Sequence, residues 1–207
     1  MSPTIQVPNK LPGMILPSCN LIPHNGLPLY IFEQRYRIML EEVLRTSRLF
    51  FIVQSREATD PAHHELGEAH EYGAVGMVRA CMENDDGTSH LLLHGLQRIR
   101  LKRIDSSAHY PLADIELVEA ENEGSEVALA SQRALVSRIQ ALADASPVAM
   151  DLLESVSAPK ANTICADILA ARLLPDPDSR REFLSLRCVE KRYQKLEALV
   201  EQYNWDS

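Results

Sequence analysis

The stretch LLLHGLQRIRLKRI, residues 91–104, decides how the first half of the chain is read. Arg98, Arg100 and Lys102 alternate with Ile99 and Leu101, and a period of two puts successive side chains on opposite faces of a strand. The basic face continues into Arg103. Gly95 interrupts the run, and a glycine inside a strand marks a bulge or a bend. Just upstream, AVGMVRACM (74–82) and ENDDGTS (83–89) supply a partner strand and a turn. Asp86-Gly87 between two strand-like runs predicts a two-residue hairpin turn with positive φ at both central positions.

Working outward, GLPLYIF (26–32) reads as a strand preceded by a turn at Asn25-Gly26. EQRYRIMLEEVLRTS (33–47) carries Tyr36, Met39, Leu40, Val43 and Leu44 on one helical stripe, a core-facing pattern. LFFIVQS (49–55) is a continuous apolar run expected of a buried strand. Residues 56–72 are polar and predict an exposed loop. YPLADIELVE (110–119) gives a further strand.

Seven of the eight glycines precede residue 100. Because glycine favours turns and disfavours helix interiors, the first region is expected to be sheet-rich and the second helical. The acidic stretch VEAENEGSE (118–126) marks the boundary, predicting domains over 1–118 and 119–207 in an α+β chain. Ser125 or a neighbour opens a long helix through Leu135, Ile139 and Leu142. Ser146-Pro147 fits a cap followed by proline at the first helical position, and Asn162 can cap TICADILAARLL (163–174). Pro175-Asp176-Pro177 stops that helix. Asp178 is expected to open a last one, along which Leu186, Val189, Tyr193, Leu196, Val200 and Tyr203 form a seam that wants a packing partner.

Composition narrows the function classes. The 207 residues are 45% apolar and 24% charged, ordinary values for a globular protein, so wholesale disorder is excluded. The net charge of −8 disfavours a dedicated nucleic-acid binder, because neutralising phosphates needs concentrated Lys and Arg. No run approaches the ~18 apolar residues of a membrane span, and the N-terminus lacks a basic region followed by an apolar one. A cytoplasmic protein without a membrane anchor is therefore expected. Cys19, Cys81, Cys165 and Cys188 are far apart and form no CxxC, so free thiols are expected rather than a zinc site or a disulfide framework.

Catalytic signatures fail together. None of the five lysines is followed by Ser or Thr, which excludes a GxxxxGK[ST] phosphate loop, and no GxSxG elbow occurs. HHELGEAH (63–70) begins like a zincin motif but has Glu68 where the second His belongs. No catalytic residue, metal ligand or cofactor is assigned. The alternative of an RNA-binding face rests on Arg98, Arg100 and Lys102, but no aromatic residue interleaves them to stack bases.

The order LIPHNGLPLYIFEQRYRIML (21–40), LFFIV (49–53), GAVGMVRACMENDDGTSHLLLHGLQRIRLKRI (73–104), YPLADIELVE (110–119) resembles the N-terminal substrate-binding domain of the Lon protease family over about residues 11–118. HGLQRIRL carries the match most strongly. ADILAARLL (166–174) and RCVEKRYQKLEALV (187–200) resemble helices of the extension that follows that domain. The resemblance implies a PUA-like pseudo-barrel followed by a helical bundle. It also implies a free-standing binding module without ATPase or peptidase modules. Its implied partners are unfolded or tagged protein segments and a full-length Lon or another protease. Within that frame Gly95 is expected to bend the strand and Arg98 to anchor the bend on backbone carbonyls. Phe32, Tyr36, Met77 and Leu93 are the candidates for lining a peptide-binding surface.

Overall fold

A computed structural model describes residues 5–56, 69–105, 108–144, 146–156 and 161–202. They divide into two compact units, one of residues 1–21 and 26–118, the other of residues 22–25 and 119–207. In the first, β1 (Lys10–Leu16), β2 (Gly26–Ile31), α1 (Gln34–Arg45), β3 (Leu49–Ser55), β4 (Ala69–Glu83), β5 (Ser89–Asp105) and β6 (Leu112–Leu117) follow in chain order. The strands run β2-β5-β4-β3-β1-β6 across the sheet, and β6 pairs again with β5. That last pairing closes β5, β4, β3, β1 and β6 into a ring, which removes the free edges of those five strands. β1 and β3 are parallel, and every other pair is antiparallel.

The central run LLLHGLQRIRLKRI makes this closure possible. One edge of β5 pairs with β4, while the other pairs with β2 over residues 89–94 and with β6 over 99–105. Between these spans the ladder slips: Gly76 faces Gly95 and Val75 faces Gln97, leaving Leu96 as the extra residue of a bulge. A bulge bends its strand and increases its twist. β5 thus changes partners at this bulge.

Two apolar clusters explain why β3 is buried throughout. Leu49, Phe51 and Val53 join Leu11, Ile15, Val75, Ile99, Leu101, Ala113 and Ile115, so all five ring strands contribute to one cluster inside the ring. Phe50 and Ile52 point the other way, to Tyr36, Met39, Leu40 and Val43 of α1 together with Ile31, Leu91 and Leu93. A strand buried on both faces reads as an unbroken apolar run, as LFFIV does. Gly13 faces Phe51 across the parallel pair, and a β-carbon built on it would lie 2.4 Å from three atoms of the Phe51 ring.

The hairpin between β4 and β5 differs from its expected form. Gly87 has φ +77°, but Asp86 is not in the positive-φ region. The Gly87 N–H donates to the Asn84 carbonyl at 2.9 Å, and the Asn84 N–H donates to the Thr88 carbonyl at 2.8 Å. This is a three-residue loop, a type I turn followed by one left-handed glycine. Asp86 Oδ1 accepts from the Thr88 N–H at 2.9 Å and from its hydroxyl at 2.6 Å, which supports the turn without positive φ at Asp86. The same bonds hold the Asp86 carboxyl below its ordinary pKa.

The second unit holds α2 (Glu126–Ala143), α3 (Pro147–Val156), α4 (Asn162–Leu173), α5 (Pro177–Ser185) and α6 (Val189–Gln202). Ser125 caps α2, its hydroxyl oxygen accepting from the Ala128 N–H, and Ser146 caps α3 ahead of Pro147. Asn162 does not cap α4; it is the first helical residue, and its buried side chain ties three segments together. Its Oδ1 accepts from the Gly124 N–H at 3.0 Å and its Nδ2 donates to Gln132 Oε1 at 2.8 Å, while its carbonyl accepts from the Tyr193 hydroxyl at 2.8 Å. Burial pushes the Tyr193 phenol well above its ordinary pKa.

The single last helix expected from Asp178 is two helices, and the cap of the first is Asp176, whose Oδ1 accepts from the Ser179 N–H at 2.8 Å. The break at residues 186–188 has a clear cause. The Glu121 N–H donates to the Arg187 carbonyl and the Val189 N–H to the Glu121 carbonyl, both at 3.0 Å, holding this stretch extended. The fully buried Arg192 donates from Nε to the Leu186 carbonyl at 2.7 Å and faces Asp167 at 3.9 Å. Along the seam, Val189, Tyr193, Leu196 and Val200 lie in the core of this unit, and Tyr203 lies outside the described residues. Ile22 joins the same core, and Asn25 donates to the Asp167 carbonyl at 3.0 Å.

Candidate polypeptide-binding face

The face of β2, β5 and β4 turned away from α1 is built by strand alternation. Leu91 and Leu93 of β5, Val78 of β4 and Ile31 of β2 face the α1 cluster. Their neighbours therefore face outward. Register sets those neighbours in cross-strand rows: Met82, His90 and Tyr30 in one, Ala80, Leu92 and Pro28 in the next. Tyr30 is 49% exposed, Met82 63% and Leu92 42%, and Phe32, just past the end of β2, is 60% exposed. The Tyr30 ring stacks on His90 with centroids 4.7 Å apart and on Phe32 at 5.8 Å. Four of the nine large apolar side chains that stand exposed among the described residues thus share one small surface. Such clustering marks interaction sites, whereas single exposed apolar residues are ordinary.

At the far end of this face the ladder slips again between Val78 and Ala80, and Arg79 is the inserted residue. It is exposed and takes part in no ion pair or hydrogen bond among the described residues. It lies close enough to His94 for its charge to act there: burial first, and the Arg79 cation second, hold His94 below its ordinary pKa. β2 stands at the end of the sheet order, and Pro28 removes one backbone donor from it.

The expected site residues distribute unevenly. Phe32 belongs to the exposed face. Tyr36 and Leu93 do not: both are buried in the α1 cluster, so neither lines a surface. The Tyr36 hydroxyl donates to the Ile15 carbonyl at 3.4 Å, and burial pushes its pKa up to about 12. Met77 is half-buried against the cluster inside the ring. Tyr30, Met82, His90 and Leu92 were not singled out by sequence; the alternation that reveals them is masked because HLLLH and GLPLYIF are apolar on both faces.

The basic face is corrected as well. Arg98 is buried, its own carbonyl accepting from the Val118 N–H at 3.0 Å. Arg100 is bonded to Glu71, which raises its pKa further, and Lys102 is bonded to Glu116. Arg103 Nε donates to Asp114 at 3.1 Å. Acidic residues on the neighbouring strands β4 and β6 therefore neutralise Arg100, Lys102 and Arg103.

A cleft of about 440 Å³ lies between α1 and the β4–β5 hairpin, lined by Gln34, Arg37, Glu41, Arg45, Cys81 and Glu83. Arg45 pairs with Glu41 at 2.6 Å and Arg37 donates to the Asp86 carbonyl at 3.2 Å. These contacts hold the rim together and set no base beside a nucleophile. Among the described residues no group of three or more His, Cys, Asp or Glu is placed to hold a metal, and His63 and His64 lie outside them. No disulfide joins Cys19, Cys81, Cys165 and Cys188, and no described helix is long and apolar enough to cross a membrane.

Similar proteins agree on one domain type. The chain is similar to the N-terminal domain of Lon protease from the Mycobacterium avium complex, with TM-score 0.73, 13% identity and 94% of this chain aligned to 100% of that one. It is also similar to a Lon N-terminal domain protein from Xanthomonas campestris, with TM-score 0.59, 20% identity and coverage of 91% and 97%. By sequence it is 25% identical over 200 residues to Lon protease 2 of Herpetosiphon aurantiacus, which aligns 93% of this chain to 24% of that protein. The chain thus spans about a quarter of the length of that relative. The family model described as the ATP-dependent protease La (LON) substrate-binding domain matches residues 10–202, and the chain belongs to that family.

Proposed function

We propose that this chain is a non-catalytic polypeptide-binding module that takes up exposed apolar segments of unfolded or tagged proteins, as an adaptor or regulator working with a Lon-type or other protease. The observation that carries this reading is the exposed cluster of Tyr30, Phe32, Met82 and Leu92 on one sheet face. An extended chain laid on that face would bury aromatic and aliphatic surface worth about 25 cal/mol per Å². Family membership and the domain name of the matched model support a protein as the bound partner.

Titration of fluorescently labelled, reduced and alkylated lactalbumin tests the reading. The wild-type protein should bind it in the micromolar range, and the Tyr30→Ser, Phe32→Ser double variant should bind at least about tenfold more weakly, the equivalent of ~1.4 kcal/mol. Absence of binding to the wild type at high micromolar concentration would sink the proposal.

A further inference from the structure

Resting on the polypeptide-binding reading, we infer that the face selects extended segments in which large apolar side chains are followed by a carboxylate: Tyr30, Phe32, Met82 and Leu92 receive the apolar groups, and Arg79 the anion. Three observations carry this. First, the outward rows formed by residues 79–82, 90–94 and 26–30 contain one permanent charge, the cation of Arg79, and no carboxylate. Glu83, the nearest acid along β4, lines the cleft against α1 on the opposite face of the sheet. Second, Arg79 stands exposed and makes no ion pair among the described residues, unlike Arg100, Lys102 and Arg103, which are all matched to acids. Third, the chain as a whole carries a net charge of −8, so an acidic segment is repelled by the molecule at large and favoured at this face.

Spacing follows from strand geometry. Arg79 is the extra residue beside Ala80, whose row lies two residues from that of Met82, about 7 Å at the rise of a strand. In an extended ligand that distance separates side chains two positions apart, which share one face. The bulge at Arg79 supplies the means, since an inserted residue re-aims its side chain away from the regular pleat.

The test uses the full chain and fluorescein-labelled dodecapeptides of Gly and Ser carrying a Phe, a Leu and, two positions beyond the Phe, a Glu. Analogues replace the Glu by Gln or by Lys. Fluorescence anisotropy should rank Glu above Gln above Lys, with about three- to tenfold between successive peptides at low salt. Arg79→Glu should reverse the order, the Lys peptide then binding best. Tyr30→Ser with Phe32→Ser should weaken all three alike. All substituted side chains are exposed, so unchanged unfolding midpoints are expected and certify the folds.

Equal affinity for the Glu and Gln peptides, or an order untouched by Arg79→Glu, overturns the inference while leaving polypeptide binding intact. Loss of peptide binding with lactalbumin binding retained also overturns it, because recognition would then lie outside short acidic segments. Failure of both probes removes the functional reading with it.

Discussion

Gly13→Ala tests the closed ring at its tightest point. The added β-carbon would meet three atoms of the Phe51 ring at 2.4 Å, more than 1 Å inside ordinary carbon–carbon contact of ~3.5–4.0 Å. The ring cannot swing aside, because Phe51 is fully buried in a cluster fed by five strands. Overpacking of this kind costs about 1–3 kcal/mol, while replacing glycine by alanine in a strand returns roughly 0.5–1 kcal/mol. A net loss of about 1–2 kcal/mol is expected. With a urea slope of about 2 kcal/mol/M, the midpoint followed by far-UV circular dichroism should fall by ~0.5–1 M. The decisive comparison is a double-mutant cycle. Phe51→Leu alone leaves a cavity, but it also removes the atoms that Gly13→Ala strikes. The double variant should therefore be more stable than the sum of the single losses by at least ~0.5 kcal/mol. Strict additivity, or a Gly13→Ala variant as stable as the parent, would show that Phe51 does not press on β1 as described.

Other expectations follow from the same geometry. Arg192→Leu should cost about 3–5 kcal/mol in equilibrium unfolding, since it removes the cation facing buried Asp167 and frees the Leu186 carbonyl, whereas Arg172→Ala, at an exposed pair with Asp151, should cost at most ~1 kcal/mol. Ile22→Ala should cost about 2–5 kcal/mol, and hydrogen exchange should place the loss in α2–α6 rather than in the neighbouring strands. Alkaline titration should expose Tyr36. Its folded pKa of about 12 lies above the ordinary value of 10.0, so the stabilisation it reports is complete below pH 10 and is lost as pH rises through 12. Tyr36→Phe should flatten this part of the stability profile by roughly 2–3 kcal/mol at pH 12. Identical profiles for parent and variant would contradict the burial of that phenol.

Where a segment's environment is uniform, its sequence was enough to read it. LFFIV is apolar because β3 is buried on both faces, and the stripe Tyr36, Met39, Leu40 and Val43 follows one face of α1. Segments whose environment is set by distant partners were harder. Alternation placed Arg98, Arg100 and Lys102 together, but it could not show that β4 and β6 bring Glu71 and Glu116 to the exposed pair. The break between α5 and α6 depends on Glu121, more than sixty residues upstream, so the local seam pattern runs straight through it. The exposed face was hidden for another reason. In HLLLH and GLPLYIF both faces are apolar, one because it is core and the other because it is surface, and periodicity cannot separate them.

Ile22–Asn25 counts with the helical unit although nearly a hundred residues of sheet separate it from Glu119. During synthesis this tetrapeptide leaves the ribosome early and must wait for α4 to be made before Asn25 finds the Asp167 carbonyl. A clone starting at Glu119 would therefore express helices lacking one of their own core residues, and supplying the peptide IPHN in trans becomes a complementation experiment.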